Sequence, residues 1–142
     1  MAAADREGFD QLLQELPPAD LLQLADVARL NDDVDRAREA LLTLRERQPS
    51  SRLAHMAAFR LGRISFESSH DFGQAARWFR TVIEESPGGP HTADARGRLM
   101  EALARDGRAA EAVEAAHEYL RHHPGGAYSA AARSLVGRQE SE

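Results

Sequence analysis

The side chains with the most obvious capacity for chemistry are three histidines in "AHEYLRHHPGG": His117, His122 and His123. The chain holds six His and no Cys, so a metal site would have to be built from imidazole and carboxylate alone. Two ligands on one helix need i, i+4 spacing to share a face. None of these three pairs has it. Histidine at a helix C-terminus is favoured by the helix dipole and by unpaired carbonyls, so we expect helix-end residues and no metal. Ser, His and Asp all occur, yet no Gly-x-Ser-x-Gly elbow presents a nucleophile. "DGRAAEA" and "PGG" lack the strand-loop-helix setting of a phosphate loop. Neither catalytic residues nor a cofactor are expected, and the chain reads as not an enzyme. Trp78, Phe79 and Phe72 form an aromatic cluster, expected to pack hairpins together rather than cage a ligand.

The remaining chemistry is that of arginine. All 18 basic residues are Arg, against 23 carboxylates, for a net charge of -5, which argues against a nucleic-acid partner. With 142 residues, 42 % hydrophobic and 29 % charged, the chain suits one helical domain with its own core. No apolar run is long enough to span a membrane. "MAAADREGFD" lacks the apolar segment of a signal peptide, so work outside the cytoplasm would require a longer parent chain.

The elements that would position these arginines come from an internal repeat. Pro49, Pro87 and Pro124 lie 38 and 37 residues apart. Ala37, Ala75 and Ala112 each stand twelve residues before their proline. "AREALLTL", "AARWFRTVI" and "AVEAAHEYL" space their large residues as one helix face, and "DLLQLADVARL", "LAHMAAFRLGRISF" and "TADARGRLMEALAR" precede them with the same period. Breaks at Asn31 to Asp33, Ser68 to Asp71 and Asp106–Gly107 separate the two helices of each unit. Asp and Asn there can cap the next helix, and Gly can end the previous one in a left-handed conformation. Proline then ends each hairpin, and the paired glycines of "ESPGG" and "HHPGG" let the chain reverse. The expected fold is all-α, a right-handed superhelical stack of three hairpins with seven to eight helices and no sheet. The whole of 1–142 is one domain: repeats over about 19–51, 52–90 and 91–126, an extra helix from Asp5 to Leu16, and a capping helix over 127–138.

These residues resemble the tetratricopeptide repeat family. Leu24, Ala25, Ala28, Ala37, Leu41, Leu44 and Pro49 fit its motif in the first unit. Leu61, Gly62, Phe66, Ala75, Phe79, Val82 and Pro87 fit in the second, whose turn needs one additional residue. Leu99, Leu103, Ala112, Ala116, Tyr119 and Pro124 fit in the third, with Ala116 smaller than usual. The longer period looks like that of bacterial envelope repeat proteins. More narrowly, "AAFRLGRISFE", "PGGPHTADARGRLMEAL" and "YLRHHPGGAYSAAARSL" resemble the C-terminal periplasmic repeat domain of membrane-anchored, iron-response-type (FecR-like) anti-sigma regulators of myxobacteria. That resemblance implies a periplasmic segment of a longer membrane-anchored protein, with a cytoplasmic setting as the alternative.

Stacked hairpins would line a concave side with their first helices. Projection selects Gln23, Asp26 and Arg29 in the first unit, Arg60, Arg63 and Glu67 in the second, and Arg98, Glu101 and Arg105 in the third. As a groove these would bind an acidic segment or chain terminus through arginine forks. A solvated face with internal Arg–Glu pairs is the other reading. The family's Lys and Asn carboxylate clamp is not present. The function expected is a protein-protein interaction module, sensory or docking, with no membrane insertion. The alternative is a structural or self-associating scaffold stacking through its terminal helices, so a homo-oligomer stays open.

Overall fold

The computed structural model describes residues 3–141, with side chains from Asp5 to Arg138. Met1, Ala2 and Glu142, which belong to the expected single domain and to the opening stretch read as lacking a leader, lie outside the described residues. Eight α-helices are described: α1 (Ala3–Glu15), α2 (Pro18–Leu30), α3 (Val34–Arg47), α4 (Arg52–Arg63), α5 (Phe72–Glu85), α6 (Thr92–Arg105), α7 (Ala109–His122) and α8 (Ser129–Ser141). A π-helical turn, Ile64–Ser68, continues α4. No strand occurs among the described residues, so the fold is all-α as expected, and no helix there is long and apolar enough to cross a membrane. The chain divides into two compact units, Met1–Ala57 and Ala58–Glu142, which we take in turn.

In the first unit, α2 and α3 form a hairpin. Pro17 and Pro18 end α1 and open α2, where Pro18 takes an N-terminal position whose amide would have no helical partner. Leu21, Leu22, Ala25 and Ala28 of α2 and Ala37, Ala40, Leu41 and Leu44 of α3 are buried. The helix α1 adds Phe9 and Leu13 to the core. Polar contacts also hold it. Arg47 donates to the carbonyls of Leu13 and Leu16 at 3.0 and 2.7 Å, satisfying acceptors left over at a helix end, while Arg6 pairs with Glu39 and Arg36 with Asp5, both at 2.7 Å.

In the second unit, Ala58, Phe59, Ala75, Ala76, Phe79, Val82, Ala95, Leu99, Ala102, Leu103 and Ala112 form one core cluster. Met100, Ala116, Tyr119 and Ala132 form another, beneath α8. The marker alanines Ala37, Ala75 and Ala112 are all fully buried. The aromatic residues separate into pairs: Phe79 meets Phe59 edge-on at 5.9 Å, and Phe72 meets Phe66 at 5.1 Å. Trp78 is half-buried against the first cluster.

Each hairpin turns through one left-handed residue followed by a cap position. Asp32 (φ 59°), His70 (φ 50°) and Gly107 (φ 76°) take the left-handed place. Asp33 and Asp71 then accept from the Arg36 and Gln74 amides at 3.2 and 3.1 Å, whereas Arg108 provides no side-chain cap. Because a side chain at positive φ costs roughly 1–2 kcal/mol, His70→Gly is expected to raise stability by about 1 kcal/mol after the greater freedom of unfolded glycine is subtracted. The urea midpoint checks it.

One sequence expectation needs correction. The additional residue of the second repeat does not lengthen its turn. It lies inside the helix, where the Ser69 amide bonds Ile64 O and the Asp71 amide bonds Ser65 O, against a shorter Arg108 N to Leu103 O closure in the third repeat. A π turn absorbs one residue while keeping the buried stripe in place. The glycine pairs sit in the turns that reverse the chain, and none of the four adopts positive φ. Only the second of each pair is tight: a Cβ on Gly89 would lie 2.2 Å from Ser86 Oγ and one on Gly126 2.2 Å from Tyr119 Oη, while Gly88 and Gly125 face open space.

Candidate partner-binding surface

Of the residues projected onto the expected groove, Gln23, Asp26 and Arg29 lie on α2 in the first unit, with Gln23 and Arg29 exposed and Asp26 half-buried. The other six lie in the second unit. The structure brings three of these together as a ladder between the π turn and α6. Glu67, carried by the π turn, is 3.4 Å from Arg63 Nε and accepts from Arg98 Nη1 at 3.3 Å. Arg98 Nε donates to Asp94 Oδ1 at 3.1 Å, and the Tyr128 hydroxyl donates to the same oxygen at 2.6 Å. The Arg98 guanidinium also lies 5.8 Å from the centre of the Phe59 ring.

Arg105 stands apart, over the rings of Phe66 and Phe72 at 5.3 and 5.7 Å. Arg60 and Glu101 are half-buried on the same two first helices. The surface is therefore mixed in sign: internal Arg–carboxylate pairs, one of the two sequence readings, are present, and Arg98 is shared between two carboxylates.

Burial disfavours the Arg98 charge, but Asp94, Tyr128 and Glu67 outweigh that and raise its pKa. The Tyr128 phenol is pushed upward by burial and then by its hydrogen bond and proximity to Asp94, so it remains a donor across the physiological range. Asp94 and Tyr128 were missing from the sequence reading. Asp94 was detectable from its i, i+4 spacing to Arg98. Tyr128 was not, because it reaches Asp94 only through the Pro-Gly-Gly turn before α8.

Of the three histidines, His122 and His123 occupy helix-end geometry, whereas His117, expected there too, lies within α7. His122 ends α7 and lies 3.4 Å from Glu118; His123 is the C-cap residue and lies 3.1 Å from Arg96. No group of three His, Cys, Asp or Glu among the described residues is placed to hold a metal ion. Burial, and then the charges of Arg96 and His122, lower the His123 pKa. The unfolded chain thus takes up this proton more readily than the folded one, and stability is lost as pH falls through about 6.5. The melting temperature of His123→Gln is expected to drop less between pH 7.5 and 5.5 than that of the parent, as scanning calorimetry in matched buffers would record.

Comparisons with known proteins bear on what such a surface does. The tetratricopeptide repeat profile matches residues 22–90 and 64–127. No curated protein matches the sequence significantly. Among solved structures, the N-terminal domain of stress-induced protein-1 (STI-1) from C. elegans superposes with a TM-score of 0.74 at 16% identity, covering 84% of this chain and 94% of that one. The nearly identical TPR-like repeats of a putative kinesin light chain from Podosopora anserina superpose at 0.70 and 16% identity, covering 96% of this chain and 77% of theirs. At such identities the likeness concerns the fold alone.

Proposed function

Because the chain belongs to the tetratricopeptide repeat family, whose repeats mediate protein-protein interaction, we propose that it is a non-enzymatic binding module whose second unit holds an acidic partner segment along the face of Arg63, Glu67 and Arg98. The observation that carries this reading is the sharing of Arg98 between Glu67 and Asp94, with Arg63 on the far side of Glu67. Paired in this way, the guanidinium forks are already extended over the face. A partner carboxylate that exchanges with Glu67 meets ordered donors, so less side-chain entropy is lost on binding. Arg60, Glu101 and Arg105, on the same two first helices, are the further candidates for this contact. Gln23, Asp26 and Arg29 are the corresponding candidates on the first unit.

The finer role follows the sequence resemblance quoted above. It supports a sensory or docking domain of an envelope signalling regulator, periplasmic and part of a membrane-anchored protein, with the cytoplasm as the alternative. Protease accessibility in spheroplasts carrying the intact gene separates the two compartments. Light scattering on the isolated chain separates the module from a scaffold that self-associates through its terminal helices, which a strict monomer removes.

The site itself is tested by reversing its charge. Arg63→Glu with Arg98→Glu is expected to abolish binding of a partner recovered by pull-down while helical content stays near the parent. The exposed Arg63 pair contributes only about 0–1 kcal/mol, and any loss of melting temperature comes from the half-buried Arg98, where the new carboxylate faces Glu67 and Asp94. Arg121→Glu or Arg138→Glu should do little. Parent binding should weaken with salt as the screening length falls from about 10 Å at 0.1 M to about 3 Å at 1 M. Undiminished binding by the double variant would place the site elsewhere.

A further inference from the structure

The first unit carries an apolar crevice of about 450 Å³ between α1 and the α2–α3 hairpin. Phe9 and Ala28 form its nearly buried floor, and Leu12 and Val27, 42 % and 55 % exposed, its two rims. Leu30, one turn beyond Val27 on α2, is 74 % exposed. The large hydrophobics left exposed among the described residues are Leu12, Val27, Leu30 and Leu42, and all four fall in this unit. Leu12 and Val27 rim the concave floor, and exposed apolar side chains placed in this way are uncommon on a surface that only meets water.

The charge around the crevice narrows what can cover it. Residues up to Ala57 hold eleven carboxylates against seven arginines, whereas the rest of the chain holds twelve against eleven. The net charge of -5 therefore belongs almost wholly to the first unit. At the mouth of the crevice Asp5 and Asp33 share Arg36, at 2.7 and 3.5 Å, and that guanidinium lies 4.9 Å from the centre of the Phe9 ring. An occupant must then be apolar where it meets Leu12 and Val27 and basic at its flanks. A second copy of this unit would bring two strongly negative surfaces together, which opposes self-association through this face.

We propose that the α1–α2 crevice is a second docking site, independent of the arginine face, for a basic amphipathic helix. Leucine-sized anchors at i and i+3 or i+4 would enter between Leu12 and Val27, and Lys or Arg on the flanks of the helix would meet the carboxylates of the unit.

The probe is a fluorescein-labelled peptide of roughly 18 residues, with Leu on one helical stripe and Lys elsewhere, titrated with the intact chain by anisotropy. The parent should bind it with an affinity that falls with salt, and should bind a scrambled peptide of equal composition about tenfold more weakly or worse, a gap of about 1.4 kcal/mol. Leu12→Gln with Val27→Gln should remove that preference. Both side chains are already exposed, so circular dichroism should find the fold intact. Arg63→Glu with Arg98→Glu should leave peptide binding unchanged, so failure at either site is distinguishable from failure at the other. Equal binding of ordered and scrambled peptides, equal binding by the glutamine variant, or a Leu/Glu peptide bound as well as the Leu/Lys one would overturn the proposal. So would a dimer of the parent that the glutamine variant converts to monomer, since the occupant would then be a second copy.

Discussion

Phe79→Ala is expected to destabilise the second unit by about 3–5 kcal/mol, and Gly62→Met by about 1–3 kcal/mol, while the two together should lose far less than the sum. Phe79 is fully buried, and a Cβ on Gly62 would lie 2.6 Å from its ring. With the turns aligned on their left-handed residues and the π insertion allowed for, Gly62 corresponds to Ala25 and Met100, and Phe79 to Leu41 and Ala116. The three repeats thus place Ala with Leu, Gly with Phe, and Met with Ala at corresponding buried positions, dividing one volume differently each time. Installing the Met and Ala of the third repeat in the second repacks the site instead of emptying or overfilling it. Urea unfolding of both single variants and the double variant gives the coupling directly; losses that simply add would mean that these positions do not share one cavity.

Tyr119→Ala should cost a similar 3–5 kcal/mol, for a different reason. Tyr119 is 1% exposed, and its hydroxyl accepts from the Tyr128 amide at 3.0 Å while filling the space where Gly126 lacks a Cβ. Tyr119→Phe separates the contributions, since it keeps the ring and leaves the Tyr128 amide without its acceptor, a loss of about 1–3 kcal/mol. The same change should loosen the start of α8, because that bond ties the Pro-Gly-Gly turn to α7. Amide exchange at Tyr128 is the direct readout. If Tyr119→Phe matches the parent in both stability and exchange, the hydroxyl does not anchor the turn.

Helix punctuation and repeat register were readable in the sequence because they depend on local chemistry. Proline is barred from a helix interior and so marks a helix end or start, and a buried alanine at constant spacing marks a helix interface regardless of its neighbours. Readings that depended on a partner distant in sequence were incomplete. The extra residue of the second repeat was visible as a count of 38 against 37, but whether it widens a helix or lengthens a turn depends on which choice keeps Ile64 and Ser65 buried. The second glycine of each pair was visible too, although its purpose became clear only when Ser86 and Tyr119 were seen against it. At the candidate surface, Arg63, Glu67 and Arg98 followed from helix projection. Tyr128, which joins them through Asp94 from 34 positions away, lies beyond the reach of any helical period.

The π turn also determines where Glu67 is aimed. Each residue of an α-helix advances the next by about 100° around the axis, so removing one residue between Ile64 and Ser68 would swing Glu67 away from Arg98 by roughly that angle while Gly62 and Phe59, upstream, kept their places. A single-codon insertion is thus sufficient to redirect one acidic side chain toward the neighbouring repeat without redesign of the core beneath it. Repeats in which such a wide turn comes and goes could therefore acquire or lose a cross-repeat ion pair in one genetic step, changing what the surface offers a partner at almost no expense to the packing that holds the repeats together.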